Sequence, residues 1–533
     1  MMRAALIVDS NEVHQWQKDA LDAARDLLEI VLVLSCSNTR NKRSIAKNFC
    51  YYALGIVTLK NRMTRRSGLG IDAAKSVEFE SMYDGNWQEI PDSVAAELRN
   101  SRVDIVIKFG MSLLRIDDRL GGLKILSYHH GDPRYFRGRP AGFYELLQGW
   151  NAVGTVVQEL SNELDAGKVW AICHSRIWHH SYKKTAEGFY GNSRFLLRKA
   201  IINLSSNAHV DIGPKGRIYK LPSNSLVCRF IFVLGVRKFK RLIYGAFFEK
   251  RWNVAVAESV DVLGNVKLNL NESRVLEKGS GHGFYADPFF SADGRTIRLE
   301  ALCSKSGLGE IVEVGVDGQS DKRTLLKGVH YSYPFSFSVD DREYLLPEVS
   351  AHSSQYVIPA PFDAGEKIFL KGVEGFRIVD CTVFIEKGVV YLFFGMSSSA
   401  ADRLYLFYSG GLKEEFVPHP LSPVVIDPAR ARMAGRIVEI NGRRYRFGQD
   451  NSYQYGDGIT VCEITDISAS DYQEKVVGRL RVEGASGPHT LDRNDQRSVF
   501  DFYQDKFSFF AWYRRVVPYL RHRLERWRVG SAS

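Results

Sequence analysis

The sequence predicts an α/β doubly wound domain at residues 1–205, followed by an all-β five-bladed propeller at residues 253–505. Three observations lead to this fold class. The chain opens with an apolar strand, a helix and a second apolar strand, which is how a doubly wound sheet begins. After residue 252, short strands alternate with tight turns, and similar stretches recur about every 50 residues, as propeller blades do. A chain of 533 residues is also too long for a single hydrophobic core.

The first domain is predicted to start with a strand at Arg3–Val8, a helix at Glu12–Leu28 and a strand at Ile30–Leu34. A further buried strand is expected at Val103–Gly110. No G-x-G-x-x-G sequence follows the first strand, so we do not expect a dinucleotide cofactor.

Polar residues follow an apolar run at the centre of this domain, between Leu123 and Gly138. The run predicts a buried strand, and open α/β sheets keep their ligands at the carboxyl ends of such strands. The residues that follow the run are Ser127, Tyr128, His129 and His130. Farther along, a second apolar run at 156–158 precedes Asp165 in a glycine-containing turn. Because side chains at neighbouring strand ends can meet, we expect His129 and Asp165 to share a hydrogen bond.

These stretches resemble the formyltransferase family that uses 10-formyltetrahydrofolate, whose motifs read N-x-H, then R-G, then L-D-x-G. Ser-Tyr-His at 127–129, Arg137-Gly138 and the stretch 164–167 are in register with those motifs. The resemblance implies 10-formyltetrahydrofolate as cofactor, His129 as general base or proton shuttle, and Asp165 as its partner. Ser127 stands where the family has an asparagine that polarises the formyl carbonyl. A serine is shorter and supplies one donor instead of two.

The same resemblance implies further site residues. The segment that lines the folate pocket in the family corresponds to Phe109, Gly110 and Met111, although ordinary strand-to-loop packing would explain these residues equally well. The residues expected to contact substrate are His130, Asp132 and Arg137. If Ser127 cannot hold the oxyanion, then Tyr128, His130 or a backbone amide is expected to supply the missing donor.

Five similar stretches define the repeat of the second domain. They are Tyr285–Phe290, Tyr333–Phe337, Asp380–Phe384, Gly435–Val438 and Pro488–Leu491. The first four are each followed by a turn pair and another apolar strand, which predicts hairpins. The turn pairs are Asp293-Gly294, Asp340-Asp341, Lys387-Gly388 and Asn441-Gly442.

The repeats resemble two groups of propellers. One is the five-bladed clan of arabinanases, xylosidases and fructosidases, which implies Asp287 as general base, Asp380 as the carboxylate that tunes the acid, and Glu348 as a third carboxylate. The other is the propeller domain grouped with plant glucosamine inositolphosphorylceramide transferases, which has similar A-D-P-F, Y-P-F and G-Q-D sequences. We expect Asp287, Asp380 and Arg436 to converge near the propeller axis. The acids can also cap turns and pair with Arg436 without any catalysis.

Three basic segments lie outside these motifs. The linker at 206–252 is basic and apolar at helical spacing from Cys228 onward, and it can lie on an anionic membrane surface or pack between domains. The tail at 506–533 is a basic amphipathic segment with the same two alternatives, a membrane surface or packing on the propeller. The stretch Arg40–Arg66 predicts either an anion-binding edge or a solvated face.

The composition restricts the partners and the compartment. A formal charge of +11 and a pI near 9.1 favour an anionic partner. Seven scattered cysteines without a C-x-x-C pair argue against a disulfide framework or a zinc ribbon. Neither a signal peptide nor a spanning helix is evident. We therefore expect a cytoplasmic protein, either free or peripheral on the inner face of the membrane.

Three functions remain open at this stage. The first is a formyltransferase-like enzyme that transfers a formyl group to a nucleotide- or lipid-linked amino sugar in surface-glycan or glycolipid biosynthesis. The second is a glycan-processing or glycan-binding protein that acts through Asp287, Glu348 and Asp380, with a degenerate first domain. The third is a non-catalytic adaptor of glycan assembly. Neither a metal ion nor a nucleic acid is expected as a partner.

Overall fold

The computed structural model describes residues 1–37, 46–71, 74–120, 122–213, 215–318, 322–349, 354–362, 366–514 and 516. The chain forms two compact units, residues 1–238 and 239–533. The predicted fold class is confirmed, because unit 1 is a doubly wound α/β domain and unit 2 contains a five-bladed propeller. The predicted amphipathic tail lies outside the described residues beyond 516, as do residues 38–45 of the basic stretch Arg40–Arg66.

Unit 1 contains a central sheet with helices on both sides. Its strands are β1 (Met2–Val8), β2 (Glu12–His14), β3 (Leu28–Ser37), β4 (Arg66–Gly68), β5 (Lys75–Glu80), β6 (Met82–Asp84), β7 (Trp87–Glu89), β8 (Ile105–Lys108), β9 (Lys124–His129), β10 (Phe136–Gly138), β11 (Ala152–Glu159), β12 (Val169–Arg176) and β13 (Arg217–Tyr219). Its helices are α1 (Gln15–Ala23), α2 (Phe49–Thr58), α3 (Asp92–Asn100), α4 (Phe143–Gln148), α5 (Tyr182–Ser193), α6 (Leu196–Ser205) and α7 (Asn224–Phe247), the last of which contains the division between the units.

The central sheet has the strand order β12-β11-β9-β8-β1-β3-β5. The strands from β5 to β9 in that order are parallel, and their apolar residues are buried from both sides, as in other doubly wound sheets. The first helix is shorter than predicted and begins at Gln15, because the backbone N–H of His14 donates to the side chain of Gln17 in a capping box at that point.

Strand β11 differs from the prediction in its direction. It runs antiparallel to β9, so the ends of these two strands do not lie at the same edge of the sheet. The loop at 160–168 folds back along the sheet instead, and this return brings Asp165 to His129. The two side chains are therefore close together as expected, but the return of the loop places Asp165 there and not the end of a parallel strand.

The strands of unit 2 are short and numerous. They are β14 (Phe248–Glu258), β15 (Gly264–Leu268), β16 (Arg274–Val275), β17 (His282–Phe290), β18 (Thr296–Cys303), β19 (Gly309–Gly315), β20 (Arg323–Leu326), β21 (Ser332–Val339), β22 (Arg342–Glu348), β23 (Tyr356–Pro359), β24 (Ile368–Phe369), β25 (Ile378–Glu386), β26 (Val389–Met396), β27 (Arg403–Ser409), β28 (Val417–Pro418), β29 (Val425–Ile426), β30 (Arg432–Met433), β31 (Val438–Ile440), β32 (Arg443–Gln449), β33 (Ile459–Ile467), β34 (Tyr472–Val482), β35 (Leu491–Arg493) and β36 (Arg497–Phe507).

These strands form five sheets in the described residues, one for each blade. Three blades are local in sequence: β17 to β20, β21 to β24, and β25 to β29. The fourth adds β15 beside β34, and the fifth joins β35 and β36 to β14 and β16. The ring is closed by the antiparallel ladder between β14 and β36, which joins the two ends of the propeller without a covalent bond. Left-handed residues at Asp340, Asp341 and Asn441 form hairpin turns where they were predicted.

Candidate functional site

His129 and Asp165 meet at the carboxyl end of β9. Nδ1 of His129 lies 3.3 Å from Oδ1 of Asp165, and Nε2–H donates to the carbonyl oxygen of Phe136 at 2.9 Å. A carbonyl only accepts, so in the neutral imidazole Nε2 carries the hydrogen and Nδ1 carries the lone pair. The second carboxylate oxygen of Asp165 accepts the N–H of Gly138 at 2.7 Å. The pair can therefore take up one proton at Nδ1, where the carboxylate stabilises the charged ring.

Lys108, Ser127 and Gln158 lie side by side on three adjacent strands. The register pairs Lys108 of β8 with Ser127 of β9, and Ser127 with Gln158 of β11. Paired side chains project from the same face of a sheet, and His129, two residues after Ser127, shares that face. All four side chains are buried. Oε1 of Gln158 has no hydrogen-bond partner in the part of the chain that the structure describes.

Lys108 was not predicted as a site residue. Burial lowers the pKa of its ammonium group to about 8, while the nearby carboxylates of Asp9 and Asp165 favour the charged form. The group makes no hydrogen bond or ion pair with any residue in the described ranges. One signal was present in the sequence, because Lys108 ends the otherwise apolar strand I-V-I-K. A buried lysine at a strand end is a candidate functional residue.

The residues expected to line a folate pocket are packed into unit 1. The ring of Phe109 lies 5.9 Å from that of Tyr128. A Cβ on Gly110 would come within 2.5 Å of the backbone at the end of β1, and Met111 is only 4% exposed. Of the two readings open for Phe109, Gly110 and Met111, the structure favours packing.

Tyr128 and His130 point to the opposite face from His129. The hydroxyl of Tyr128 donates to the carbonyl oxygen of Ser193 at 3.1 Å, and Nε2 of His130 lies 2.9 Å from the hydroxyl of the same residue. Burial lowers the pKa of His130 to about 3, so its ring is neutral at physiological pH. The alternation of side chains along the strand explains why neither residue can supply the donor that Ser127 lacks.

Asp132 and Arg137, which were expected to contact substrate, are engaged in contacts within the protein that hold loops in place. Asp132 pairs with Arg134, with 2.6 Å between Oδ2 and Nη2. Arg137 is buried, and its Nε donates to the carbonyl oxygen of Leu164 at 2.9 Å. This contact fastens the loop that carries Asp165 to strand β10.

Asp287, Tyr333 and Asp380 occupy equivalent positions in the first strands of three successive blades. Each has a left-handed backbone, with φ of 50°, 44° and 51°, and each lies in a β-bulge of its strand. Such bulges turn a side chain away from its regular direction and are common beside active sites. The same left-handed bulge therefore recurs in the first strands of three successive blades.

A group of buried acids, here called the carboxylate cluster, surrounds these positions. Its members are Asp287, Glu300, Glu348, Asp380 and Asp501. Asp380 pairs with Arg432, with 3.2 Å between Oδ1 and Nη2, and its backbone N–H donates to Glu348 at 3.1 Å. Burial raises the pKa of Glu348 to about 8, and the charge of Asp380 adds to the rise. Glu348 therefore keeps its proton at neutral pH, while Asp380 has a guanidinium partner.

His489 bridges two members of the carboxylate cluster. Its Nδ1 contacts Asp501, its Nε2 lies 3.4 Å from Asp287, and the hydroxyl of Thr490 donates to Asp287 at 2.7 Å. Burial alone would lower the pKa of His489, but the two carboxylates outweigh it and raise the pKa. Ligand atoms of Asp287, His489 and Asp501 lie within 4.8 Å of one another, so a cation would also fit these three residues.

Sequence reasoning missed several neighbours of these acids. His489 lies in the fifth repeat, P-H-T-L, but no motif marked Glu300, Arg432 or Asp501. Burial and the surrounding acids raise the pKa of Glu300 well above its ordinary range. The half-exposed ring of Tyr455 lies over Arg432, with 5.1 Å from its centre to Cζ, and could stack on a sugar.

Arg436 does not join the carboxylate cluster, which corrects the prediction that it converges with the acids. It pairs with Asp492, with 3.1 Å between Nε and Oδ1, and its Nη1 donates to the carbonyl oxygen of Ser336 at 2.7 Å. Asp492 also accepts the N–H of Phe290, three residues beyond Asp287 on β17 and so about 10 Å along the strand. Arg436 and Asp492 line a separate cavity of about 610 Å³.

In Glu348→Gln, we expect the free energy of unfolding of unit 2 to change less with pH between pH 4.5 and about 8 than it does in the wild type. The unfolded chain loses this proton near the ordinary value of 4.5, whereas the folded protein keeps it to about 8. The contribution of Glu348 is therefore fully present below pH 4.5 and is lost as pH rises to about 8. Urea unfolding across this range tests the expectation, with exposed Glu439→Gln as control. An unchanged slope in Glu348→Gln would contradict it.

Together these features define a two-unit protein with a polar strand-edge site in an α/β domain and buried carboxylates in a propeller. Comparison with known proteins shows which proteins each part of the chain is similar to. The family described as "Glucosamine inositolphosphorylceramide transferase 1, N-terminal" matches residues 269–493, within the propeller. The chain is 27% identical over 214 residues to glucosamine inositolphosphorylceramide transferase 1 of Arabidopsis thaliana, covering 37% of this chain and 27% of that protein.

A second relative has the same name and comes from Oryza sativa subsp. japonica. It is 25% identical over 224 residues, which cover 39% of this chain and 30% of the relative. The chain thus matches less than a third of the length of these relatives. Among solved structures, glycinamide ribonucleotide transformylase 1 from Symbiobacterium toebii is similar with a TM-score of 0.28 and 15% identity, over 42% of this chain and 94% of that one. A 4-N formyltransferase from Francisella tularensis has a TM-score of 0.29 and 10% identity, over 44% and 87% of the two chains.

Proposed function

We propose that the chain is a formyltransferase-like enzyme that transfers a formyl group to an amino sugar in surface-glycan or glycolipid biosynthesis. The observation that carries the proposal is the contact of His129 with Asp165 on the buried polar face that also holds Ser127. The name of the relatives, which contains glucosamine and inositolphosphorylceramide, supports an amino sugar and a lipid-linked substrate. The propeller would then hold the glycan.

The residues of this face have definable roles. When an amine attacks, Nδ1 of His129 accepts its proton, and Asp165 stabilises the resulting positive charge. The cofactor 10-formyltetrahydrofolate would supply the formyl group. The unpartnered Oε1 of buried Gln158 fits a ligand that offers an N–H donor, so Gln158 and Ser127 would hold it. The packed residues Phe109–Met111 do not provide such a cradle.

The proposal is tested by incubating the full chain with 10-formyltetrahydrofolate and a panel of nucleotide-linked and lipid-linked amino sugars. The expected result is an N-formyl product, seen by mass spectrometry, with one acceptor class preferred. Omission of the donor is the control. Absence of product with every acceptor, from a chain that is folded by circular dichroism, would refute formyl transfer.

A second function is favoured by one observation in the propeller. Glu348 keeps its proton at neutral pH, beside Asp380, while Asp287 accepts a hydrogen bond from Thr490. Burial raises the pKa of Asp287, and the neighbouring His489 favours its ionised form. A protonated acid and a separate carboxylate are what acid–base chemistry on a glycosidic bond requires. This candidate predicts release of sugar from chromogenic glycosides or glycolipids, abolished in Glu348→Gln. Sugar release that persists in this variant would remove the candidate.

We also propose peripheral attachment to an anionic membrane surface through α7. Its residues Phe232, Phe239 and Leu242 are 72%, 65% and 62% exposed, and their spacing places them on one face of the helix. The helix has no acidic residue, and its basic residues are Arg229, Arg237, Lys238, Lys240 and Arg241. Exposed apolar residues flanked by basic ones are typical of helices that lie at the headgroup level of an anionic bilayer. None of the described helices has the length and apolarity needed to cross a bilayer.

Binding of the full chain to phosphatidylglycerol vesicles is expected to weaken as salt rises, because salt screens the attraction of basic residues to the surface. The double variant Phe232→Glu, Phe239→Glu is expected to bind about 100-fold more weakly, since both apolar contacts are lost. The matched control is Phe369→Glu, which changes a phenylalanine of the propeller that is 54% exposed. Co-sedimentation measures the binding, and equal binding by the double variant and the control would contradict attachment through α7.

A further inference from the structure

Lys108 is a buried cation on the same face as the proposed formyl-transfer residues. It is 8% exposed, and its ammonium group has no hydrogen bond or ion pair with a described residue. Removing most of the water around an ammonium group without such partners is unfavourable, because the lost contacts are not replaced by the protein. A purely structural position at the end of β8 would be filled better by an apolar residue. The lysine is therefore a candidate for contact with a ligand.

The register places Lys108 beside the residue that the formyltransferase resemblance leaves incomplete. Ser127 stands where that family has its asparagine, and it pairs with Lys108 across strands that lie about 5 Å apart. The flexible stem of lysine can carry its three donors over a group held at Ser127. The other candidates for this donor, Tyr128 and His130, are held by Ser193 on the opposite face.

We propose that Lys108 is a catalytic residue of this site, whose ammonium group donates a hydrogen bond to the carbonyl oxygen of the acyl group being transferred. The inference rests on the proposed formyl transfer. Lys108 would supply the charge stabilisation that the family asparagine supplies elsewhere, from the neighbouring strand instead of from position 127. A donor aimed at the oxygen where negative charge develops lowers the barrier more than it strengthens substrate binding.

The kinetic test compares Lys108→Met, Lys108→Arg and the control Lys124→Met, which makes the same change at an exposed position on β9. Lys108→Met is expected to lower kcat by about 10²–10³-fold with little change in KM, since one oxyanion donor is lost. Lys108→Arg is expected to recover part of the rate, and to move the alkaline fall in activity from near pH 8 to a higher pH. Lys124→Met should match the wild type.

A second measurement does not depend on turnover. Reductive methylation of the full chain, followed by mass spectrometry, reports how fast each lysine reacts, and we expect 5-formyltetrahydrofolate to protect Lys108 but not Lys124. A Lys108→Met variant that keeps the wild-type kcat would overturn the inference while leaving formyl transfer intact. Protection of Lys108 without any effect on kcat would also overturn a catalytic role. Absence of formyl transfer by the wild-type chain would refute the proposed function itself.

Discussion

Replacement of His129 by alanine is expected to lower kcat/KM for formyl transfer by about 10²–10⁴-fold, the usual contribution of a positioned general base. In the proposed reaction the imidazole takes up the proton of the attacking amine at Nδ1, which lies 3.3 Å from the carboxylate of Asp165. Alanine removes that proton acceptor, and the carboxylate loses the group that it stabilises. Steady-state rates with 10-formyltetrahydrofolate and the preferred amino sugar measure the effect.

Two further variants separate a catalytic loss from a structural one. Asp165→Asn keeps the size of the side chain but removes the charge, so a loss of rate comparable to that of His129→Ala is expected if the two residues act as a unit. His209→Ala changes an exposed histidine of unit 1 and should leave the rate unchanged. If His129→Ala remains folded and turns over near the wild-type rate, the proton acceptor lies elsewhere and this site is not the one that transfers the formyl group.

Local patterns predicted the parts of the fold that depend on neighbouring residues. The apolar strands of unit 1 and the hairpins of unit 2 were found because hydrophobic periodicity and turn pairs such as Asn441-Gly442 act within a few residues. The sequence repeat placed Asp287 and Asp380 in the first strands of their blades, but the bulges at these positions were not predicted. These features need no knowledge of the strand order.

Features that depend on strand order could not be predicted from local sequence patterns. The pairing of Lys108 with Ser127 appears only when β8 is placed beside β9, and the antiparallel direction of β11 changes how Asp165 reaches its partner. Arg436 was grouped with the acids because both belong to first strands. A propeller channel is several residues deep, however, and residues at different depths belong to different sites.

A sequence motif also does not show whether a candidate residue is already hydrogen-bonded within the protein. Arg137 occupies the R-G position of the formyltransferase motif, yet its guanidinium is buried against the carbonyl oxygen of Leu164. His130 was expected at the substrate, but it lies among aromatic rings with its Nε2 beside the hydroxyl of Ser193. Residue type and spacing indicate which groups are present at a strand end. Packing determines which of them remain free.

The largest expected loss of stability follows from removing the charge of Glu474 in the propeller. This buried carboxylate binds Arg446 through two hydrogen bonds of 2.7 Å and 2.8 Å, and it also pairs with Arg430 at 2.8 Å. Arg446 is completely buried, so in Glu474→Gln it would retain its charge without a carboxylate partner. Loss of one member of a buried ion pair typically costs about 3–5 kcal/mol, and we expect the free energy of unfolding of unit 2 to fall by that amount.

The same interaction predicts a pH dependence that identifies its origin. Burial alone would raise the pKa of Glu474, but Arg446 and Arg430 outweigh it and lower the pKa to about 2. The stabilisation is therefore present above the ordinary value of 4.5 and is lost as pH falls toward about 2, and Glu474→Gln should lack this acid-dependent part. Urea unfolding at pH 7 and at pH 3 measures both effects. The control Lys475→Gln removes an exposed lysine that pairs with Glu463, which keeps Arg443 as a second partner, and should change stability by about 1 kcal/mol or less. If Glu474→Gln is no less stable than this control, the ion pair is not what holds the fourth blade together.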